Sequence, residues 1–119
     1  MHADNDTPRD DDRLTLAAEV FRILADATRI GLLAALGREA GELSVTDLAA
    51  AVGKRPSSVS QHLAKLRMAR LVTTRRDGTT VMYRVANEHV SQLVADALRH
   101  SEHLGSGVPA HHRAAGARD

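Results

Sequence analysis

Apolar residues set the first rhythm of the chain. Leu14, Leu16, Ala17, Val20, Phe21, Ile23 and Leu24 recur at helical spacing, which predicts an amphipathic helix with one buried stripe. Asp26 is positioned to cap a second helix, Ala27 to about Arg38, in which Ile30, Leu33 and Leu36 point one way. Gly37 and Gly41 mark its exit. Ser44-Val45-Thr46-Asp47 is a capping-box pattern that starts a third helix at about Val45. Leu48, Ala51 and Val52 give that helix an inner face, and Gly53 ends it. Pro56 suits the first turn of a fourth helix, because the N–H it lacks would have no partner there. That helix runs to about Ala69, with Val59, Leu63 and Leu66 as its buried row.

The period then changes. Leu71-Val72-Thr73-Thr74-Arg75 and Thr80-Val81-Met82-Tyr83-Arg84-Val85 are β-rich runs flanking Asp77-Gly78, a two-residue hairpin signal. After Asn87 the helical period returns in Val90, Leu93, Val94, Ala97 and Leu98. The predicted fold is mainly α with a β-hairpin wing. Two short helices, a glycine-containing turn and a hairpin make residues 43–86 a winged helix-turn-helix. Residues 1–12 read as a disordered tail, 13–104 as the DNA-binding and dimerisation domain, and 105–119 as a flexible tail containing histidines. There is no internal repeat.

Composition sharpens this picture. With one Phe and one Tyr in 119 residues, the core must be aliphatic, which suits packed helices. There are no cysteines, which removes disulfides, thiolate metal sites and cysteine nucleophiles, and fits a cytoplasmic protein. The start of the chain is acidic and polar, with no signal peptide or membrane span. Neither a nucleophile–base motif nor HExxH occurs, so an enzyme is not expected. Net charge is only +1, yet Lys54 to Arg76 holds seven Lys or Arg and no acid. Such a patch is the electrostatic footprint of phosphate binding.

The helix-turn-helix gives that patch a geometry. The fourth helix would enter the major groove of double-stranded DNA, offering Ser57, Ser58, Ser60, Gln61 and Lys65. Gln can make paired hydrogen bonds to adenine, and Ser can serve base edges or phosphates. Lys54, Arg55, Arg67 and Arg70 flank it as phosphate contacts. Arg75 and Arg76 are expected at the hairpin tip, where a wing would meet the backbone or the minor groove. The blander alternative, serines that merely start a helix and solvated arginines, stays open for any one residue. His62 lies one position before Leu63, so a partly buried structural role outweighs base reading. One chain reads few base pairs, so a two-fold dimer is expected.

Five of the seven histidines follow residue 88: His89, His100, His103, His111 and His112. Imidazole is the commonest metal ligand and needs no thiol. His89 and His100 are eleven residues apart, so they share a helix face yet lie roughly 16 Å apart along the axis. Metal–nitrogen bonds of about 2 Å cannot span that distance. His100 and His103, at i and i+3, can reach one ion together. An antiparallel pairing of this helix with its copy would bring His89 of one chain to the His100–His103 end of the other, giving two symmetric shared sites. Glu102 adds an oxygen donor, and His111 and His112 can fold in from the tail. Six nitrogen and oxygen donors favour nickel or cobalt, whereas four suit zinc.

The run ELSVTDLAAAVGKRPSSVSQHLAKLRMARLV, the RRDGTT hairpin, YRVANEH and the LADATR segment together resemble the ArsR/SmtB family of winged-helix metal-sensing repressors. The resemblance covers about Leu14 to Leu104. It is greatest to the nickel/cobalt-sensing type, and VPAHHRAAG extends it into the tail. It implies a homodimer closed by the first and last helices, and a metal-free form that represses an operator and is released by metal. One ligand set implied for that type falls on His89, Glu102, His103, His111 and His112. A second, confined to the last helix, falls on Asn87, His89, His100 and His103. Ser44 and Thr46 stand where other members carry thiolates, which argues against sensing of arsenic, cadmium or copper(I). Asn87 stands where many members carry a ligating Asp, and neutral Asn is the weaker ligand. Two alternatives remain: a winged-helix regulator without metal control, and a small metal-binding carrier.

Overall fold

The structure, a computed structural model, describes residues 9–39 and 41–105. Helix α1 spans Asp10–Leu24, α2 Ala27–Glu39, α3 Val45–Val52, α4 Pro56–Met68 and α5 Glu88–Gly105. The strands are β1 Leu43–Ser44, β2 Val72–Asp77 and β3 Thr80–Val85, forming one antiparallel sheet in the order β1-β3-β2.

The helix ends follow local chemistry. The Asp26 carboxylate accepts from the Arg29 backbone N–H at 3.1 Å and caps α2. Ser44 Oγ accepts from the Asp47 N–H at 3.2 Å and caps α3. Gly53, at φ +67°, closes α3 in the left-handed conformation that glycine adopts without a Cβ penalty. Asn87 Oδ1 accepts from the N–H groups of His89 and Val90, at 3.0 and 3.2 Å, and caps α5.

Three features differ from the sequence expectation. Helix α1 begins at Asp10, ahead of its apolar stripe, because Asp10, Asp11 and Asp12 fill the first turn, where the helix dipole favours negative charge. The hairpin loop is Gly78-Thr79 rather than Asp77-Gly78. Asp77 pairs with Thr80 in the ladder, and Gly78 takes φ +65° at the first loop position. Strand β1 was not expected: Leu43 pairs with Tyr83 and Ser44 with Met82, too short a run to carry a period.

The core is aliphatic, as the composition required. Leu32, Leu33 and Leu36 of α2, Leu48 of α3, Val59, Leu63 and Leu66 of α4 and Val72 of β2 are fully buried in one cluster. Burial of each such side chain contributes roughly 1.5–3 kcal/mol. This cluster holds the helix-turn-helix pair and the wing against α2. Helix α1 contributes only Leu24 to the buried set; Leu14, Leu16 and Phe21 are exposed, as are Leu98 and Leu104 of α5.

Candidate nucleic-acid interface and metal ligands

Helix α4 buries Val59, Leu63 and Leu66 and turns its opposite side outward. Ser57, Ser60, Gln61 and Lys65 lie exposed along that outer stripe, with Met68 at its end, 84% exposed. Ser58 is half-buried at the edge of the stripe. Arg55 is exposed immediately before Pro56, while Lys54 is half-buried. A row of small hydroxyls, an amide and a lysine on one face of a helix suits hydrogen bonding to base edges and phosphates. Arg67 and Arg70 are exposed at the far end; Arg70 adopts φ +62°, turning the chain from α4 into the wing.

His62 faces the interior side. Its Nδ1 accepts from Arg29 Nε at 3.1 Å, and the ring edge lies 4.0 Å from Asp26. Arg29 also donates from Nη1 to the Ile23 carbonyl at 3.1 Å. The Arg29 guanidinium thus joins the end of α1 to α4, while its backbone N–H meets the Asp26 cap of α2. The partly buried role expected for His62 is what the structure has, with its ring 21% exposed.

The wing divides the two expected arginines. Along β2 side chains alternate, so Arg75 and Arg76 point to opposite faces. Arg76 pairs with Val81 beside the turn and is exposed. Arg75 is one rung further back and is held: its Nε donates to both carboxylate oxygens of Glu42 at 2.6 and 2.7 Å, and its Nη2 lies 2.6 Å from Oε1. Arg75 is thus a wing residue whose guanidinium is ion-paired within the protomer. Glu42, 33 residues away in sequence, could not be linked to Arg75 by any spacing rule.

His89, His100, Glu102 and His103 are all exposed on α5. Among the described residues, no three His, Cys, Asp or Glu side chains of the single protomer come together as a metal-binding group. His111 and His112 lie outside the described residues. The Asn87 oxygen is already committed to capping α5. No helix among the described residues is long and apolar enough to cross a membrane.

Comparison with known proteins agrees with this architecture. The family model described as bacterial regulatory protein, arsR family, matches residues 26–74, from the α2 cap to the middle of β2. The chain is 61% identical to the HTH-type transcriptional regulator KmtR of Mycobacterium tuberculosis, over 98% of this chain and 88% of that one. It is 38% identical to the HTH-type transcriptional regulator NmtR of the same organism, over 92% of this chain and 89% of that one. The solution structure of a homodimeric winged helix-turn-helix domain, Mb0332 from Mycobacterium bovis, superposes with a TM-score of 0.70 at 32% identity, covering 81% of this chain and 87% of that one. That protein is a possible ArsR-family transcriptional regulator. The chain belongs to the ArsR family of bacterial regulatory proteins, and is a DNA-binding transcriptional regulator rather than an enzyme.

Proposed function

We propose that this regulator is a dimeric repressor whose hold on operator DNA is loosened by nickel or cobalt. The observation that carries the reading is on α5. His89, His100 and His103 stand exposed on one helix, beside apolar side chains left uncovered in the single protomer. Leu98 also overhangs two clefts along α2, one lined by Leu33 and Ala34, the other by Ile30 and Val52. The exposed Leu14, Leu16 and Phe21 of α1 supply a matching apolar surface. Covering these surfaces with a second copy is the simplest way to remove them from water.

The donor chemistry fits the metal. Imidazole nitrogens from His89, His100 and His103, the Glu102 carboxylate and the tail residues His111 and His112 form a nitrogen–oxygen set, and the chain has no thiol. Nickel and cobalt accept such sets readily; zinc is the competing ion. His89 and His100 are too far apart along the axis for one ion, so ligands drawn from both protomers satisfy the spacing. When bound, the ion supplies cross-linking of the two chains. The DNA surface in this reading comprises Lys54, Arg55, Ser57, Ser58, Ser60, Gln61, Lys65 and Arg76, with the α4 stripe in the major groove and the wing on the backbone.

Metal can shift DNA binding only through different affinities for two dimer shapes. A coupling of about 1–3 kcal/mol would change operator affinity up to about 150-fold. The test is anisotropy of a fluorescent duplex carrying the region upstream of the gene, titrated with protein and then with nickel, cobalt or zinc. Release by nickel or cobalt is expected. An operator affinity unmoved by any of the three would leave a winged-helix regulator without metal control.

A further inference from the structure

The acid that reaches the basic wing comes from outside it. Glu42 precedes β1, and β1 runs toward the wing tip, with Leu43 opposite Tyr83 and Ser44 opposite Met82. Met82 is also the rung on which Arg75 sits. Glu42 therefore lies toward the base of the sheet from that rung, and binding it draws the Arg75 guanidinium back from the tip. The carboxylate is 19% exposed while Arg75 is 54% exposed. The anchor is thus fixed in the protein and the cation it holds faces solvent.

We propose that Glu42 is a specificity-determining residue that keeps Arg75 from DNA phosphates and so limits sequence-independent binding. The inference rests on the DNA-binding role of the wing and adds an acidic partner to it. A carboxylate and a phosphate compete for the same edge of a guanidinium, because both accept its N–H groups in pairs. While Glu42 holds that edge, the pair acts on a distant phosphate as a dipole rather than as a charge. Arg75 sits two rungs behind the closing pair Asp77–Thr80. At about 3.4 Å per residue that places it roughly 7 Å from the turn, within a Debye length of about 8 Å at physiological ionic strength. A released Arg75 is near enough to the backbone to count.

The test is the salt dependence of binding to a random-sequence duplex, measured by anisotropy for wild type, Glu42→Gln, Arg75→Gln and the double variant. Each neutralised phosphate steepens the slope of log K against log salt by about 0.9, so Glu42→Gln should steepen it by about that much per wing engaged. Its gain over wild type should shrink about threefold per wing between about 50 and 200 mM salt. In the Arg75→Gln background, removing the Glu42 charge should leave the slope unchanged. Equal steepening with and without Arg75 would overturn the proposal, since Glu42 would then act through its own charge. A flatter or unchanged slope in Glu42→Gln would overturn it too, making the carboxylate a support that presents Arg75 to DNA. Thermal unfolding of each variant checks that it folds, and Glu42→Ala repeats the test without an amide in place of the carboxylate. Wild type that binds no duplex at all would instead remove the DNA-binding reading on which this one rests.

Discussion

Replacing His62 with Leu tests how helix α4 is held. The substitution puts an apolar side chain of similar bulk in place of the imidazole and removes the Nδ1 acceptor that faces Arg29 at 3.1 Å. Hydrogen bonds to charged groups contribute about 1.5–3 kcal/mol. The ring is 21% exposed, so water partly replaces the lost acceptor, and Arg29 keeps the Ile23 carbonyl. The low end of the range, about 1.5 kcal/mol, is the expected loss. For a domain of this size that lowers the melting temperature by about 6–12 °C. Calorimetry at fixed protein concentration is the assay, since dimer stability depends on concentration. His62→Asn restores an acceptor near Nδ1 and should recover at least half of the loss. Operator affinity should follow the same order, because Arg29 links α4 to the end of α1. Equal melting temperatures for wild type and His62→Leu, or no recovery in His62→Asn, would refute the tie.

Other substitutions probe separate parts of the molecule. Arg76→Ala should weaken binding to every duplex and flatten the salt slope by about 0.9 per protomer, as read by anisotropy across ionic strengths. An unchanged slope would exclude Arg76 from the phosphate contacts. Asn87→Ala removes the α5 cap and should cost about 1 kcal/mol in urea unfolding while leaving nickel affinity within twofold. A tenfold loss of nickel affinity would make Asn87 a ligand. Gly78→Ala places a side chain at φ +65° and should destabilise the wing by about 1 kcal/mol, read in the same unfolding assay.

Much of the fold was legible because its boundaries rest on local chemistry. Ser44, Gly53 and Pro56 mark the helix-turn-helix by capping, left-handed closure and a missing N–H, each visible within a few residues. The position of His62 beside the buried row of α4 followed from helical period alone. What escaped the sequence depends on contacts between distant segments. Strand β1 exists only because β3 offers it an edge, and two residues carry no alternation of their own. The Arg75–Glu42 pair escaped the sequence because Glu42 enters from the α2–α3 connection. The proposed metal ligands were legible as a cluster of residue types, whereas the meeting point proposed for them depends on a second chain and on tail residues. For Asn87, the capping bonds give a physical reason for a short side-chain acceptor at the start of α5.

The central claim is that one metal ion is held by two protomers and controls DNA binding through them. Mixing His89→Ala protomers with His103→Ala protomers tests it most directly. Neither homodimer should bind nickel tightly by calorimetry, since each lacks a ligand in both sites. In the mixed dimer one site carries both lesions and the other carries none. Tight nickel binding should therefore return at one ion per mixed dimer, together with partial nickel-driven release from operator DNA. If mixing restores no tight site, the ligands are not shared between chains, and the account of metal control is contradicted.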